Sequence, residues 1–147
     1  MVTRINYGRV APDALKLLIQ LDAYKKETRF DEKLIHLIKI RASQLNRCAF
    51  CINMHTKEAI QAGETEQRIF CLDAWEETAL YTNQERAVLA LTEAVTHISE
   101  NGVTDELYQE VRKYFDEKET IDLVMLIIII NSWNRLSIAN KNGVSKS

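Results

Sequence analysis

Apolar residues recur along this chain at spacings of three and four, the pattern of helices that bury one face. In residues 11–28, Ala14, Leu17, Leu18, Leu21 and Tyr24 share a stripe, and Pro12 sits where a first helical turn tolerates it. Asp31 is placed to cap a second helix carrying Leu34, Leu37, Ile38 and Leu45. A break at Asn46-Arg47 precedes a third helix from about Cys48, with Gly63 as its C-terminal stop. A shorter helix is expected over 66–78. Thr82 followed by Glu85 reads as a capping box that opens a helix with Ala87, Val88, Leu91, Ala94, Val95 and Ile98 inward. Gly102 closes it, and Leu107, Tyr108, Val111, Tyr114 and Phe115 mark the next.

Residues 123–130, Leu-Val-Met-Leu-Ile-Ile-Ile-Ile, are locally ambiguous. Four consecutive isoleucines favour a strand, but no other segment offers that strand a partner. The segment is therefore predicted as part of a helix over 118–140, buried on most sides, at the centre of the fold or at a subunit interface. Residues 1–10 are expected to be irregular and 141–147 a frayed tail. The whole reads as one all-α domain, a helical bundle over 1–147.

Composition narrows the class. Four glycines and one proline in 147 residues are far below the combined average of about 12%. Turn-rich sandwiches, collagens and secreted scaffolds are thereby excluded. With 46% hydrophobic residues the chain can build a core without disulfide or metal staples. Nineteen basic and 21 acidic residues leave a net −2, with no basic stripe to engage nucleic acid. The opening residues lack a signal peptide's apolar stretch, and the longest apolar run is short for a membrane span. The expectation is a cytoplasmic protein with no nucleic-acid or membrane partner. Three cysteines, an odd count in a reducing compartment, argue against a disulfide framework and make a close pair redox-active or metal-binding.

Such a pair exists in Arg47-Cys-Ala-Phe-Cys-Ile-Asn-Met-His55. Helical spacing puts Cys48, Cys51 and His55 on one face. The break at Asn46-Arg47 places both cysteines in a first turn, where free N–H groups and the helix dipole favour a thiolate. His55 can take a proton from Cys51 and stabilise the thiolate as an imidazolium. The second cysteine can then resolve an oxidised first one as a disulfide. Two other readings compete. The cysteines could be inert core residues, or Cys48, Cys51 and His55, with His36 as a fourth ligand, could hold zinc in a structural or binding module. A dithiol-disulfide reductase or redox sensor without efficient peroxide turnover would use the same pair. No organic cofactor is called for.

Residues 37–64, LIKIRASQLNRCAFCINMHTKEAIQAGE, resemble the carboxymuconolactone decarboxylase family in its cysteine-pair, alkylhydroperoxidase D-like branch. Three further stretches agree: RINYGRVAPDALKLL near the start, Tyr81-Thr-Asn-Gln-Glu85, and INSWNRLSIA near the end. The resemblance implies an all-α oligomer, commonly a trimer or hexamer, with thiol peroxidase activity. It implies that Cys51 attacks a hydroperoxide, Cys48 condenses with the resulting sulfenic acid, an external dithiol or disulfide reductant restores the pair, and His55 serves a proton relay. Decarboxylases of the wider family lack the cysteine pair.

This chain departs from that pattern twice. His36 stands where the family's relay glutamate lies, twelve residues before the first cysteine, and Phe50 stands where a second histidine is often found between the cysteines. An imidazole cannot supply a carboxylate's fixed negative charge, though it can shuttle a proton. His36 is thus either a substitute relay group or an incidental exposed histidine. Cys71 is expected to be a small buried residue, and His97 has no motif partner. Trp133 is expected to pack and Arg135 to form an ion pair. Glu32, Lys33 and residues 116–119 read as surface and helix starts.

Overall fold

Local start signals set the helix boundaries. In the computed structural model, which describes residues 2–145, Asp31, Thr65, Thr82, Thr104 and Asp116 each cap a helix by accepting a backbone N–H three residues on. Thr82 with Glu85 and Asp116 with Glu119 form complete capping boxes. The resulting helices are α1 (Tyr7–Val10), α2 (Pro12–Asp22), α3 (Glu32–Leu45), α4 (Ala49–Gln61), α5 (Glu66–Phe70), α6 (Asn83–Thr96), α7 (Ile98–Asn101), α8 (Asp105–Arg112) and α9 (Glu117–Ala139). Two 3₁₀ turns, Ala23–Glu27 and Leu72–Glu77, complete the set, and no strand occurs among the described residues.

Helices α3, α6 and α9 pack around one core of Ile35, Ile38, Ala42, Val88, Leu91, Leu123, Leu126, Ile127 and Ile130, closed at one end by Val111 and Phe115. A second cluster joins Leu37 and Ile40 of α3 to Ala59 of α4, Leu72, Trp75 and Leu89. The isoleucine run is helical, as the absence of any partner strand requires. α9 is, among the described residues, the one helix long and apolar enough to cross a membrane, and half of its most apolar stretch is buried in this bundle. Within 123–130 only Ile128 is exposed, so the run is largely absorbed by the chain's own core.

Several expectations need correction. Helix α1 and the Asn6 cap that precedes it show that residues 1–10 are not wholly irregular; Met1 lies outside the described residues. The tail is tied as far as Asn142, whose side chain donates to Tyr7 Oη; residues 146–147 lie outside the described ones. The α2 stripe is divided rather than facing one way: Ala14 is exposed, and Tyr24, just beyond the helix, is half-buried. Leu17 is 67% exposed and Leu21 is exposed too, while Leu15 and Leu18 turn toward the bundle. Ile98 lies beyond a kink at His97 and is exposed. Among the described residues Arg135 has no ion-pair partner and instead donates to Oδ1 and the carbonyl of Asn131. Cys71 is a free thiol, half-buried rather than enclosed.

The connection from α3 to α4 sets up everything near the cysteines. Arg47 lies at φ 57°, and the N–H groups of Cys48 and Arg47 donate to the carbonyls of Ser43 and Gln44. This is the paired bonding of a Schellman stop, with arginine where glycine is usual. The same bonding ends α4 at Gly63 (φ 90°), whose N–H donates to Ile60 while that of Glu64 donates to Ala59. Buried amides brace the first turn: Asn46 donates to the side-chain oxygens of Asn131 and Asn134, both at 2.9 Å, and Asn134 donates to Ser43 Oγ.

A left-handed backbone conformation costs a residue with a Cβ about 1–2 kcal/mol, partly offset by the smaller unfolded-state entropy of arginine relative to glycine. Arg47→Gly is therefore expected to stabilise the protein by about 0.5–1 kcal/mol, a rise in Tm of about 1–3 °C. A lower melting temperature would show that the arginine side chain contributes more than its backbone costs.

Candidate active site around Cys51

Cys48 is the N-cap of α4 and Cys51 its third residue, so the Schellman stop that ends α3 delivers the pair directly to a helix start. The two are joined as a disulfide, with Cα atoms 5.3 Å apart, and the Cys51 N–H points at Cys48 Sγ over 3.4 Å. Both cysteines are 1% exposed. Cys51 nevertheless faces a cavity of about 390 Å³ that also reaches His55, Glu58 and Lys39. Tyr7 and Leu15 wall it from the N-terminal side, and Phe50, Met54 and Trp133 supply further apolar surface. Trp133 thus packs as expected and also borders the site. Phe50, between the two cysteines in sequence, contributes apolar wall in the place of a titratable ring.

His55 follows Cys51 by four residues on α4, one turn along the same face. Its Nδ1–H donates to Oε2 of Glu58 over 2.9 Å, which leaves Nε2 as the ring's acceptor. Burial, reinforced by the Lys39 charge, pushes His55 down to about 4 against the opposing pull of Glu58. His36, on α3, is 13% exposed at its side chain, and its ring centroid lies 5.9 Å from that of His55. It is therefore neither remote nor an incidental surface residue. Burial lowers His36 as well, with Glu58 pulling upward and Lys39 downward. Both rings are thus neutral near neutral pH.

Glu58 is the residue that sequence reasoning passed over. It stands 3.8 Å from His36 Nδ1 and bonds His55, bringing a carboxylate to the place where the family pattern led only to a histidine at position 36. The available signal was the spacing His55-x-x-Glu58, one helical turn. Lys39 and Asp22 were also missed. Lys39 Nζ, nearly enclosed, donates to Asp22 Oδ1 over 3.1 Å, and Lys25 donates to Asp22 Oδ2 over 2.9 Å. Burial depresses Lys39 below its usual value, with Asp22 resisting. Burial would raise Asp22, but the two lysines outweigh it and hold the carboxyl below its usual range. A lysine in the apolar stretch Leu37-Ile38-Lys39-Ile40 was the clue to this pair.

As a zinc set, the quartet Cys48, Cys51, His55 and His36 is not assembled, because the sulfurs are bonded to each other. The third group beside the two imidazoles is Glu58. His97 stands apart from the site, between α6 and α7, with its Nδ1 3.9 Å from Glu100 Oε1.

Comparison with known proteins finds likenesses of sequence and of fold. The carboxymuconolactone decarboxylase family profile matches residues 12–94. The uncharacterised protein YdfG of Bacillus subtilis is 48% identical over 142 residues, 97% of each chain. A crystal structure of a protein of unknown function from Agrobacterium tumefaciens, provisionally assigned to antioxidant defence as AhpD, superposes with a TM-score of 0.96 at 38% identity, covering 99% of this chain and 100% of that one. The debrominase Bmp8, in a variant form bound to 2,3,4-tribromopyrrole, gives a TM-score of 0.78 at 20% identity over 92% of this chain and 72% of that one, a likeness of fold alone. With the matched family profile, the near-full-length relatives and a cysteine pair set at a helix start beside a histidine, this chain belongs to the carboxymuconolactone decarboxylase family, in its cysteine-pair, alkylhydroperoxidase D-like branch.

Proposed function

We propose that the protein is a thiol-dependent peroxidase that cycles between a Cys48/Cys51 dithiol and the Cys48–Cys51 disulfide. The observation that carries the reading is that disulfide, with Cys51 opening on a cavity shared with His55 and Glu58. In the reduced protein Cys51 gives its proton to Nε2 of His55, while Glu58 holds Nδ1–H and fixes the ring's orientation. The thiolate attacks one peroxide oxygen. The S–O bond forms as the O–O bond breaks, and the leaving alkoxide takes a proton to depart as alcohol or water. Cys48 then attacks the sulfenic sulfur, the S–S bond forms and water leaves. An external dithiol supplies two electrons and two protons to restore the pair.

A dithiol-disulfide reductase or redox sensor would share the disulfide but not the peroxide step. A mass measurement of reduced protein before and after one equivalent of hydroperoxide separates them. The peroxidase reading expects loss of two hydrogens within a single fast event; an unreacted dithiol would overturn it. Cys51→Ser is expected to abolish peroxide consumption, whereas Cys48→Ser leaves one oxidation that stalls as a sulfenic acid. A sulfenic acid trapped at Cys48 in the Cys51→Ser protein would reverse the two roles.

Glu58 acts through His55, as a positioning residue. Glu58→Gln keeps the side chain's shape but loses the fixed charge, and is expected to slow alkylation of reduced Cys51 by about tenfold, a fraction of the 10²–10⁴ typical of acid–base assistance. Glu58→Asp should recover part of the rate, and Tm should barely move because the side chain is 44% exposed. An unchanged alkylation rate would remove Glu58 from the relay.

The same reading includes self-association, with Leu17, Ile19 and Leu21 of α2 as the exposed apolar side chains that a second copy would cover. Sedimentation at micromolar concentration is expected to give a multiple of the 17.0 kDa chain, and a clean monomer would refute it.

A further inference from the structure

We propose that His36, His55 and Glu58 form a zinc-binding site distinct from the cysteine pair, and that zinc there disables His55 as a proton acceptor. The binding stands on these three side chains alone; its effect on Cys51 rests on the peroxidase reading.

The donors come from two helices. His36 projects from α3, and His55 and Glu58 lie one turn apart on α4. One donor atom from each lies within 4.8 Å of the others. Oε2 of Glu58 is 2.9 Å from His55 Nδ1 and 3.8 Å from His36 Nδ1, so that oxygen sits between the two ring nitrogens. Zinc bonds to imidazole nitrogen and carboxylate oxygen at about 2.0–2.2 Å, which places tetrahedral ligands about 3.3 Å apart. Gathering these three around one ion therefore takes movements on the order of an ångström or less.

His36 Nδ1 makes the case specific. Among the described residues it is the one buried side-chain nitrogen or oxygen with no hydrogen-bond partner. Such an atom normally costs stability, and a metal bond at Nδ1 would satisfy it. Two imidazoles and one carboxylate with a fourth position open are a familiar zinc donor set; the nitrogen ligands disfavour magnesium and calcium. The surrounding charge permits a cation. Lys25 and Lys39 face the site, but Asp22 bonds both, and Glu32 of α3 adds a second negative charge. Those four balance, and Glu58 leaves the cluster net negative. The part-exposed Glu58 side chain gives an ion its way in.

The consequence for His55 is a change of tautomer. Zinc at Nδ1 displaces the proton now shared with Glu58, and the neutral ring keeps a proton only by carrying it on Nε2. Nε2–H can donate but cannot accept the Cys51 proton. Zinc would thus close the relay without touching sulfur.

The test uses the full chain in its oxidised, disulfide form, so that sulfur cannot ligate, with zinc chloride in equilibrium dialysis. One zinc per chain is expected. His36→Ala and Glu58→Ala should each weaken it by about tenfold or more, as losing a metal ligand or its support does. Circular dichroism would confirm that each variant is folded, and His36→Gln replaces His36→Ala if the alanine variant is not. The Cys48→Ser/Cys51→Ser double variant should retain full binding. Cobalt in place of zinc should give d–d bands without thiolate-to-metal charge transfer. No retained zinc, binding indifferent to His36 and Glu58, or loss of binding in the double cysteine variant would each overturn the site. None of these readouts depends on peroxide, so a failed peroxidase assay in chelator-treated buffer would leave the zinc result standing, and the reverse.

Discussion

The left-handed turn at Arg47 is the constraint on which the site depends. It ends α3 and starts α4 across the three residues 46–48, so that Cys48 closes the bonding of the first helix and caps the second. A longer connection would leave the orientation of α4 free. The asparagine brace makes the turn unique: Asn46 reaches both Asn131 and Asn134 on α9, and Asn134 reaches back to Ser43 on α3. Buried amides left without partners cost about 1–3 kcal/mol each, so α9 accepts α3 and α4 in a single register. That register also brings His36 of α3 beside His55 of α4. A disulfide between positions 48 and 51 needs only a helical turn, but the pairing of the two imidazoles needs this particular crossing.

Around the pair, charge is arranged so that two neutral rings can remain neutral. Lys39 is almost fully enclosed, and an isolated ammonium there would be very costly. Asp22 reaches it from the C-terminal end of α2 and takes Lys25 as a second partner. The lysine charge then acts on His55 and His36 as a modest repulsion, added to the larger effect of burial. Glu58 pulls the other way from a half-exposed position. The rings hold protons weakly chiefly because they are buried, with Lys39 adding to that effect and Glu58 opposing it.

What could be read from the sequence was what is decided within one helical turn. Caps at Asp31 and Thr82, a helix start within 116–119, the proline at position 12, the stop at Gly63 and the placing of Cys48, Cys51 and His55 all follow from local backbone chemistry. The strand-like isoleucines were resolved by asking for a partner that the chain does not offer. Features set by tertiary contacts were harder to read. The α2 stripe is amphipathic, but periodicity does not say which edge of it meets the bundle: Leu18 turns inward together with Leu15, while Leu17 and Leu21 of the same stripe stay exposed. Ile98 continued the α6 stripe on paper, yet the helix kinks at His97 before reaching it. Arg135 was expected to meet a carboxylate, but it donates to the Asn131 amide one turn back on α9. Glu58 was passed over in the sequence, and gains its place only because α3 brings His36 against it.

The N-terminal arm, helices α1 and α2, contributes no fully buried residue to either core cluster. It supplies Tyr7 and Leu15 to the cavity wall and Asp22 to Lys39. Segments held by so little apolar burial open locally at a free energy well below that of global unfolding. Access to Cys51 and the neutrality of the ground beneath it are therefore governed by the same weak docking. One arm thus supplies both the wall in front of Cys51 and the charge beside Lys39, so the site's enclosure and its electrostatic potential are not independent of each other.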